Sequence, residues 1–322
     1  MDTGSHLLFG ATLAGLAALH PVIAHQPELS HAIMAATLIG SHAPDFDTIA
    51  RLKGYSAYIR IHRGITHSLP ALLIWPVVLS IPVTAVFGVW EHAHLVWLWA
   101  FIAVVFHVFL DWFNAYGVQC FRPFSQKWHH LDVLSLFEPG LFLLHFAGLL
   151  LWLLNVPGIP FGWMFAGIYA ATFMYIGVRT LQHRQAVAVV RRHVGFDGVC
   201  HVLPGMLWYR WQFVVETESH FTTGTLHRGV VSIKDVYRKD AADSIVQATM
   251  STDGVRAFLH FAQRVYVIST EQNDGYVVKW RDVRFWHNHQ LPFGVDVYLD
   301  RNLNVVDQSL GWRKKVWDPP FV

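Results

Sequence analysis

Six apolar blocks precede a region of alternating polarity. Long runs fill Leu69–Trp90, Ala93–Ala115, Leu134–Val156 and Ile159–Thr180, each matching the ~20 residues that a bilayer-crossing helix needs. Two shorter blocks, Leu7–Ala24 and His31–Ala43, come first; the second is short for a full crossing and suits a tilted or half-buried helix. From about Val194 the pattern turns to period two, as in Trp211–Glu216, Arg264–Thr270, Tyr276–Phe285 and Val295–Asp300. Asn273-Asp274-Gly275 and Asp300-Arg301-Asn302 read as turns between these strands, and Val255–Phe261 as a short helix. The pattern predicts an α-helical integral membrane domain of four to six transmembrane helices over residues 1–193, then a small antiparallel β-rich cytosolic domain over residues 194–322.

Charge adds an orientation. Arg51, Lys53, Arg60 and Arg63 lie in the segment before the first long block, Arg122 and Lys127 in the one after the second, and Arg179, Arg184, Arg191 and Arg192 at and beyond the end of the last. The alternate connections carry no Lys or Arg, which places the basic segments and both chain termini in the cytoplasm of a multi-pass inner-membrane protein. Met1-Asp2 opens acidic where a cleavable signal begins basic, so the first block is expected to be retained. A net charge of +2 suggests no direct nucleic-acid partner, and Cys120 and Cys200 imply no disulfide framework.

The polar residues that interrupt the apolar pattern carry the chemistry. On this topology His6, Asp45, Asp47, His62, His67, His107 and Asp111 all reach the cytoplasmic side from four sequence-distant elements. His107 and Asp111 are four apart and share one helical face, with Asn114 three further on. Asp45 and Asp47 follow Pro44 as an extended D-x-D, and His62 and His67 flank a turn at Gly64. Mixed imidazole and carboxylate ligands suit a divalent metal such as Zn or Mn, as one or two ions. Asp45 or Asp47 would serve as general base, and Arg63 as a clamp on a developing anion. Asp111 is the residue least explained otherwise, because an aspartate inside an apolar helix needs a partner; a metal-free His–Asp ion pair is the competing explanation. His145 reads as a buried hydrogen-bonder; His129, His130 and Asp132 lie on the site's side of the membrane, where outer support is the less favoured of their readings.

"MDTGSHLLFG", "GSHAPDFD", "HRGITHS" and "HVFLDWFNAYGVQCFRPFS" followed by "LDVLSLFEP" make the chain resemble the bacterial family of inner-membrane, metal-dependent hydrolases, also described as LexA-binding membrane-associated hydrolases. The likeness is dense over roughly the first 140 residues and looser in the tail. It implies a hydrolase-like metal site on the seven residues above. Glu138 departs from the family, whose members often carry Asp before the proline, and keeps a carboxylate there. The expected function is a membrane-bound hydrolase in which metal-activated water attacks a phosphoester or acyl-type bond at the cytoplasmic interface. Membrane lipids, or a lipid or membrane-delivered substrate, are the expected partners. The alternative is a non-catalytic scaffold or regulator with a structural metal, whose C-terminal domain binds a protein partner.

Overall fold

The punctuation between apolar blocks decides where the helices begin. In the computed structural model, which describes residues 1–195, 198–239 and 243–314, Asp2 caps α1 (Thr3–Ala17) by accepting from the Ser5 N–H at 3.0 Å. Proline opens α2 (Pro21–His25) and α3 (Pro27–Gly40), where its missing N–H costs nothing. The block Leu7–Ala24, expected as one helix, is thus broken at Ala18–His20 ahead of Pro21. A 3-10 segment (Ala43–Lys53) leads to α4 (Tyr55–Ile61), and a second (Ile65–His67) to α5 (Leu69–Phe87). Then come α6 (Ala93–Trp112), α7 (Pro139–Leu153) and α8 (Phe161–Val194).

The described chain falls into two compact units. The first takes Met1–Asp47 and Arg63–Thr180; the second takes Thr48–His62 and the chain from Leu181 on. In the first unit α1, α3 and α6 approach closely because small residues line their contacts. A Cβ at Gly10 would come 2.8 Å from the Thr37 carbonyl oxygen, and one at Gly40 would come 3.1 Å from that of Ala100. Ala32, Ile33, Ala36, Val96 and Ala100 fill the seam. α7 joins through His145, whose ring nitrogens lie 2.8 Å from Thr12 Oγ1 and 2.8 Å from Thr172 Oγ1. Both polar ends of the imidazole are therefore satisfied inside the bundle.

Three helices are long and apolar enough to cross a membrane: Leu69–Phe87, Trp90–Trp112 and Phe161–Val194. Leu73, Ile74, Val78, Ile81 and Val86 on α5, with Trp163, Phe173 and Met174 on α8, are exposed, as lipid-facing side chains would be. The expected span Leu134–Val156 is helical only over the 15 residues Pro139–Leu153, because Ser135–Glu138 forms a hydrogen-bonded turn ahead of it: Glu138 Oε1 accepts from the Ser135 N–H at 2.7 Å. The expected span Ile159–Thr180, by contrast, is too short a description. Helix α8 continues to Val194, 34 residues in all, or ~51 Å against the ~30 Å of a hydrocarbon core.

The tail is more elaborate than one small β domain. The second unit holds two four-stranded antiparallel meanders. β1 (Val199–Pro204), β2 (Arg210–Glu216), β3 (His220–His227) and β4 (Val230–Arg238) form one, which packs Val202, Trp211, Phe213 and Leu226 on Ala186 and Val190 of α8. After α9 (Ser244–Thr249) and α10 (Asp253–Phe261), β5 (Val265–Gln272), β6 (Gly275–Asp282), β7 (Phe293–Asp300) and β8 (Val305–Trp312) form the other. Both expected turns are present, between Gln272 and Gly275 and between Asp300 and Val305. Helix α4 packs on α10, where Arg60 Nη2 meets Asp253 Oδ1 at 2.6 Å.

Candidate metal centre

The 3-10 segment after α3, the turn before α5 and the last turns of α6 meet at a buried point. Asp45, His67, His107 and Asp111 each present one atom there, all within 4.8 Å of one another. His67 Nε2 lies 3.5 Å from Asp45 Oδ1 and 3.5 Å from Asp111 Oδ2; His107 Nε2 lies 3.7 Å and 3.5 Å from the same oxygens. These separations exceed a good N–H···O hydrogen bond, ~2.7–3.2 Å. They approach the ~3.4 Å edge of a tetrahedron with ligand bonds of ~2.0–2.1 Å. His107 Nε2 and Asp111 Oδ2 are buried and make no hydrogen bond among the described residues. The donor set and its spacing fit a divalent cation.

The tautomers fit as well. His107 Nδ1 is 2.7 Å from the Ser41 carbonyl oxygen, which can only accept, so Nδ1 carries the proton and Nε2 keeps its lone pair. Thr66 Oγ1 donates to Asp47 Oδ2 at 2.6 Å, so it must accept from His67 Nδ1 at 3.0 Å. His67 Nε2 is then also a lone-pair nitrogen. Both imidazoles present their ligating face to the same point because an outer group holds each proton on the other side.

Carboxylates are set by the same economy. Asp45 is buried and turns Oδ1 toward the two imidazoles. Asp111 Oδ1 accepts from Arg63 Nη2 at 3.0 Å and lies 3.4 Å from His6 Nε2, with the Met1 amino group also against it. Arg63 Nη1 donates to Asn114 Oδ1 at 3.0 Å. Both terminal nitrogens of Arg63 are thus engaged in orienting Asp111 and Asn114, not presented as an open anion clamp. Arg63 is only 5% exposed and sits at φ 60°, a conformation rare for a side chain with a Cβ. Its N–H donates to Asp47 Oδ2 at 3.1 Å and its carbonyl accepts from the Gln119 N–H at 2.9 Å, which holds the strained turn in place.

The other expected ligands have distinct places. His6 stacks on His107 with ring centroids 3.8 Å apart and adjoins the four-residue group at Asp111. Asp47 fastens the turn through Arg63 and Thr66 and stands 3.9 Å from His67 Nδ1. His62 follows α4 in the second unit, its ring stacked on Tyr58 at 4.6 Å. His130 and Asp132 pair with each other at 2.7 Å. Sequence reasoning passed over Thr66 and the Ser41 carbonyl. Thr66 stands between the two histidines of "HRGITHS", a signal the sequence carries; a backbone carbonyl leaves none in residue identity.

A family model described as YdjM inner membrane protein matches residues 1–186, and one described as YfhP C-terminal alpha/beta plait domain matches residues 244–317. The chain is 35% identical over 318 residues to a Bacillus subtilis (strain 168) protein described as uncharacterized protein YfhP, covering 97% of this chain and 95% of that one. No solved structure matches. The resemblance to an inner-membrane family is upheld, and the chain belongs to the YdjM inner membrane protein family.

Proposed function

We propose that the protein is a membrane-bound, metal-dependent hydrolase acting on a phosphoester or acyl-type bond at the cytoplasmic interface. One observation carries this reading: four buried ligand atoms from three separate segments converge at 3.5–3.7 Å with both histidines fixed in the ligating tautomer. Asp45, His67, His107 and Asp111 would hold Zn or Mn, with His6 the nearest further ligand. Such an ion supplies Lewis acidity and lowers the pKa of water to near neutrality. The chain's own residues do the rest. Asp47, held by the Arg63 N–H and Thr66 Oγ1 beside His67, would take a proton from the attacking water. Water's oxygen bonds to the phosphorus or acyl carbon, the ester bond to the leaving oxygen breaks, the proton held by Asp47 passes to that oxygen, and the other proton is released from the acid product. Arg63 and Asn114 keep Asp111 aimed at the centre throughout.

In the same proposal α5, α6 and α8 cross the inner membrane. Helix α7 and the helices α1 and α3 complete a bundle of four to six spans with both chain ends cytoplasmic, as the placement of Arg51, Lys53, Arg122, Lys127, Arg184 and Arg191 favours. The burial of all four ligands also favours a second reading, a closed structural metal in a regulator whose C-terminal plait binds a protein partner. Hydrolysis of bis-nitrophenyl phosphate and nitrophenyl esters separates the two. Metal-stripped protein should be inactive and recover on reloading with Zn or Mn, and His67→Ala should stay inactive while keeping its circular dichroism. Metal-loaded wild type that turns over neither substrate class would favour the regulator.

A further inference from the structure

Beside the turn that carries His67, a groove of about 570 Å³ runs along α5. Its wall is Ala71, Ile74, Trp75 and Val78, and its polar mouth includes Thr66 and Arg122. The volume lies within the ~300–1,000 Å³ of ordinary ligand sites. Three features say what would enter it. First, the wall belongs to a helix that is itself a candidate membrane span, so the groove opens where acyl chains are the solvent. Second, the mouth adjoins the metal centre, since Thr66 hydrogen-bonds both Asp47 and His67 and its carbonyl accepts from Trp75 Nε1 at 3.1 Å. Third, Arg122 Nε is buried and makes no hydrogen bond among the described residues, although the wall beside it is apolar. A guanidinium nitrogen held in that setting calls for an anionic oxygen. A soluble phosphoester would leave the apolar wall unmatched; a neutral lipid would leave Arg122 unmatched.

We propose that this groove binds an anionic glycerophospholipid, one acyl chain along α5 and the phosphate at Arg122. Resting on the hydrolase reading above, that lipid is the substrate. Full-length protein in phosphatidylcholine nanodiscs, doped with phosphatidic acid or phosphatidylcholine bearing a diazirine in one acyl chain, tests the binding directly. After illumination, peptide mass spectrometry compares label on Pro70–Val78 with label on the exposed face of α8. Phosphatidic acid should favour the groove roughly tenfold over α8, and phosphatidylcholine should show no such preference. Arg122→Gln should remove the headgroup selectivity, and Ile74→Trp, at an exposed position, should block the groove label without disturbing α8. Equal labelling of α5 and α8 by both probes in the wild type would mean ordinary bilayer contact and would overturn the proposal. Labelling does not depend on turnover. Selective label on a protein that hydrolyses nothing would therefore remove the hydrolase reading and keep the lipid site. Hydrolysis of soluble phosphoesters with unselective label would do the reverse.

Discussion

At the scale of single residues, the site is made as much by the groups behind the ligands as by the ligands. The Ser41 carbonyl and Thr66 Oγ1 each hold a proton on the far nitrogen of a histidine, and Arg63 with Asn114 braces Asp111. Outer partners of this kind are typically worth 10–100-fold in metal affinity. Thr66→Val keeps the shape and removes the hydroxyl, so it should weaken metal binding by roughly that factor, read by competition with a chromogenic chelator. Unchanged affinity would show that His67 needs no such help. Most of the ligands were legible from sequence because an aspartate or histidine at the end of an apolar run has few bland explanations. Arg63 was legible as a charge but not as a brace, since only the fold reveals that its fork is already used. Arg179 counted toward membrane orientation, yet it is fully buried, near the Glu138 charge. A positive charge in a short connection does not by itself say whether it faces solvent.

At the scale of elements, small residues bring the ligands into range. Gly10 lets α1 close on α3, which ends at Ser41; Gly40 lets α3 close on α6, which carries His107 and Asp111. Gly10→Val should push its new side chain into the Thr37 carbonyl, destabilise the bundle by ~1–3 kcal/mol and lower metal occupancy in parallel. Unaltered melting in detergent would contradict that packing. The strands were only partly legible. β7 alternates, burying Val295, Val297 and Leu299 between the more exposed Asp296, Tyr298 and Asp300, whereas β3, "HFTTGTLH", is rich in threonine and shows little contrast between faces. The β3–β4 hairpin turns on Arg228-Gly229, both at positive φ (49° and 83°), and arginine is not a residue that announces such a turn. Helix α4 gives a pH prediction. Arg60 hydrogen-bonds Asp253 and lowers its carboxyl from the ordinary 3.8, so the pair stabilises above that value and the contribution fades as pH falls through the lower folded value. Both side chains are well exposed, so Asp253→Asn should cost at most ~1 kcal/mol at neutral pH, seen as faster amide exchange across Tyr55–Ile61. The difference from wild type should close once pH falls below that lowered value; a gap that persists in acid would contradict the ion-pair origin.

At the scale of the whole molecule, the chain leaves the first unit after Asp47, contributes Thr48–His62 to the second and returns at Arg63. The excursion is therefore bounded by Asp47 and Arg63, which fasten the turn that carries His67. Nothing in the hydropathy pattern foretold this, because a segment with Arg51, Lys53 and Arg60 reads as an ordinary cytoplasmic loop. Its docking depends on Tyr55, whose buried hydroxyl is pushed up to about 12, and on the partners of α10, all distant in sequence. The change from helical to strand-rich chain was readable for a different reason. Continuous apolar runs and period-two alternation are distinct signals, and they occupy different parts of the chain.

The central claim is that Asp45, His67, His107 and Asp111 form one divalent-metal centre. Elemental mass spectrometry on detergent-purified protein, prepared without chelators, tests it most directly when wild type is measured beside Asp111→Ala and His67→Ala. The account predicts stoichiometric Zn or Mn in the wild type and its loss from both variants, with helical circular dichroism retained. Wild-type protein that carries no metal and takes none up from excess Zn or Mn would contradict it, and the four residues would then be a buried network of His–Asp ion pairs.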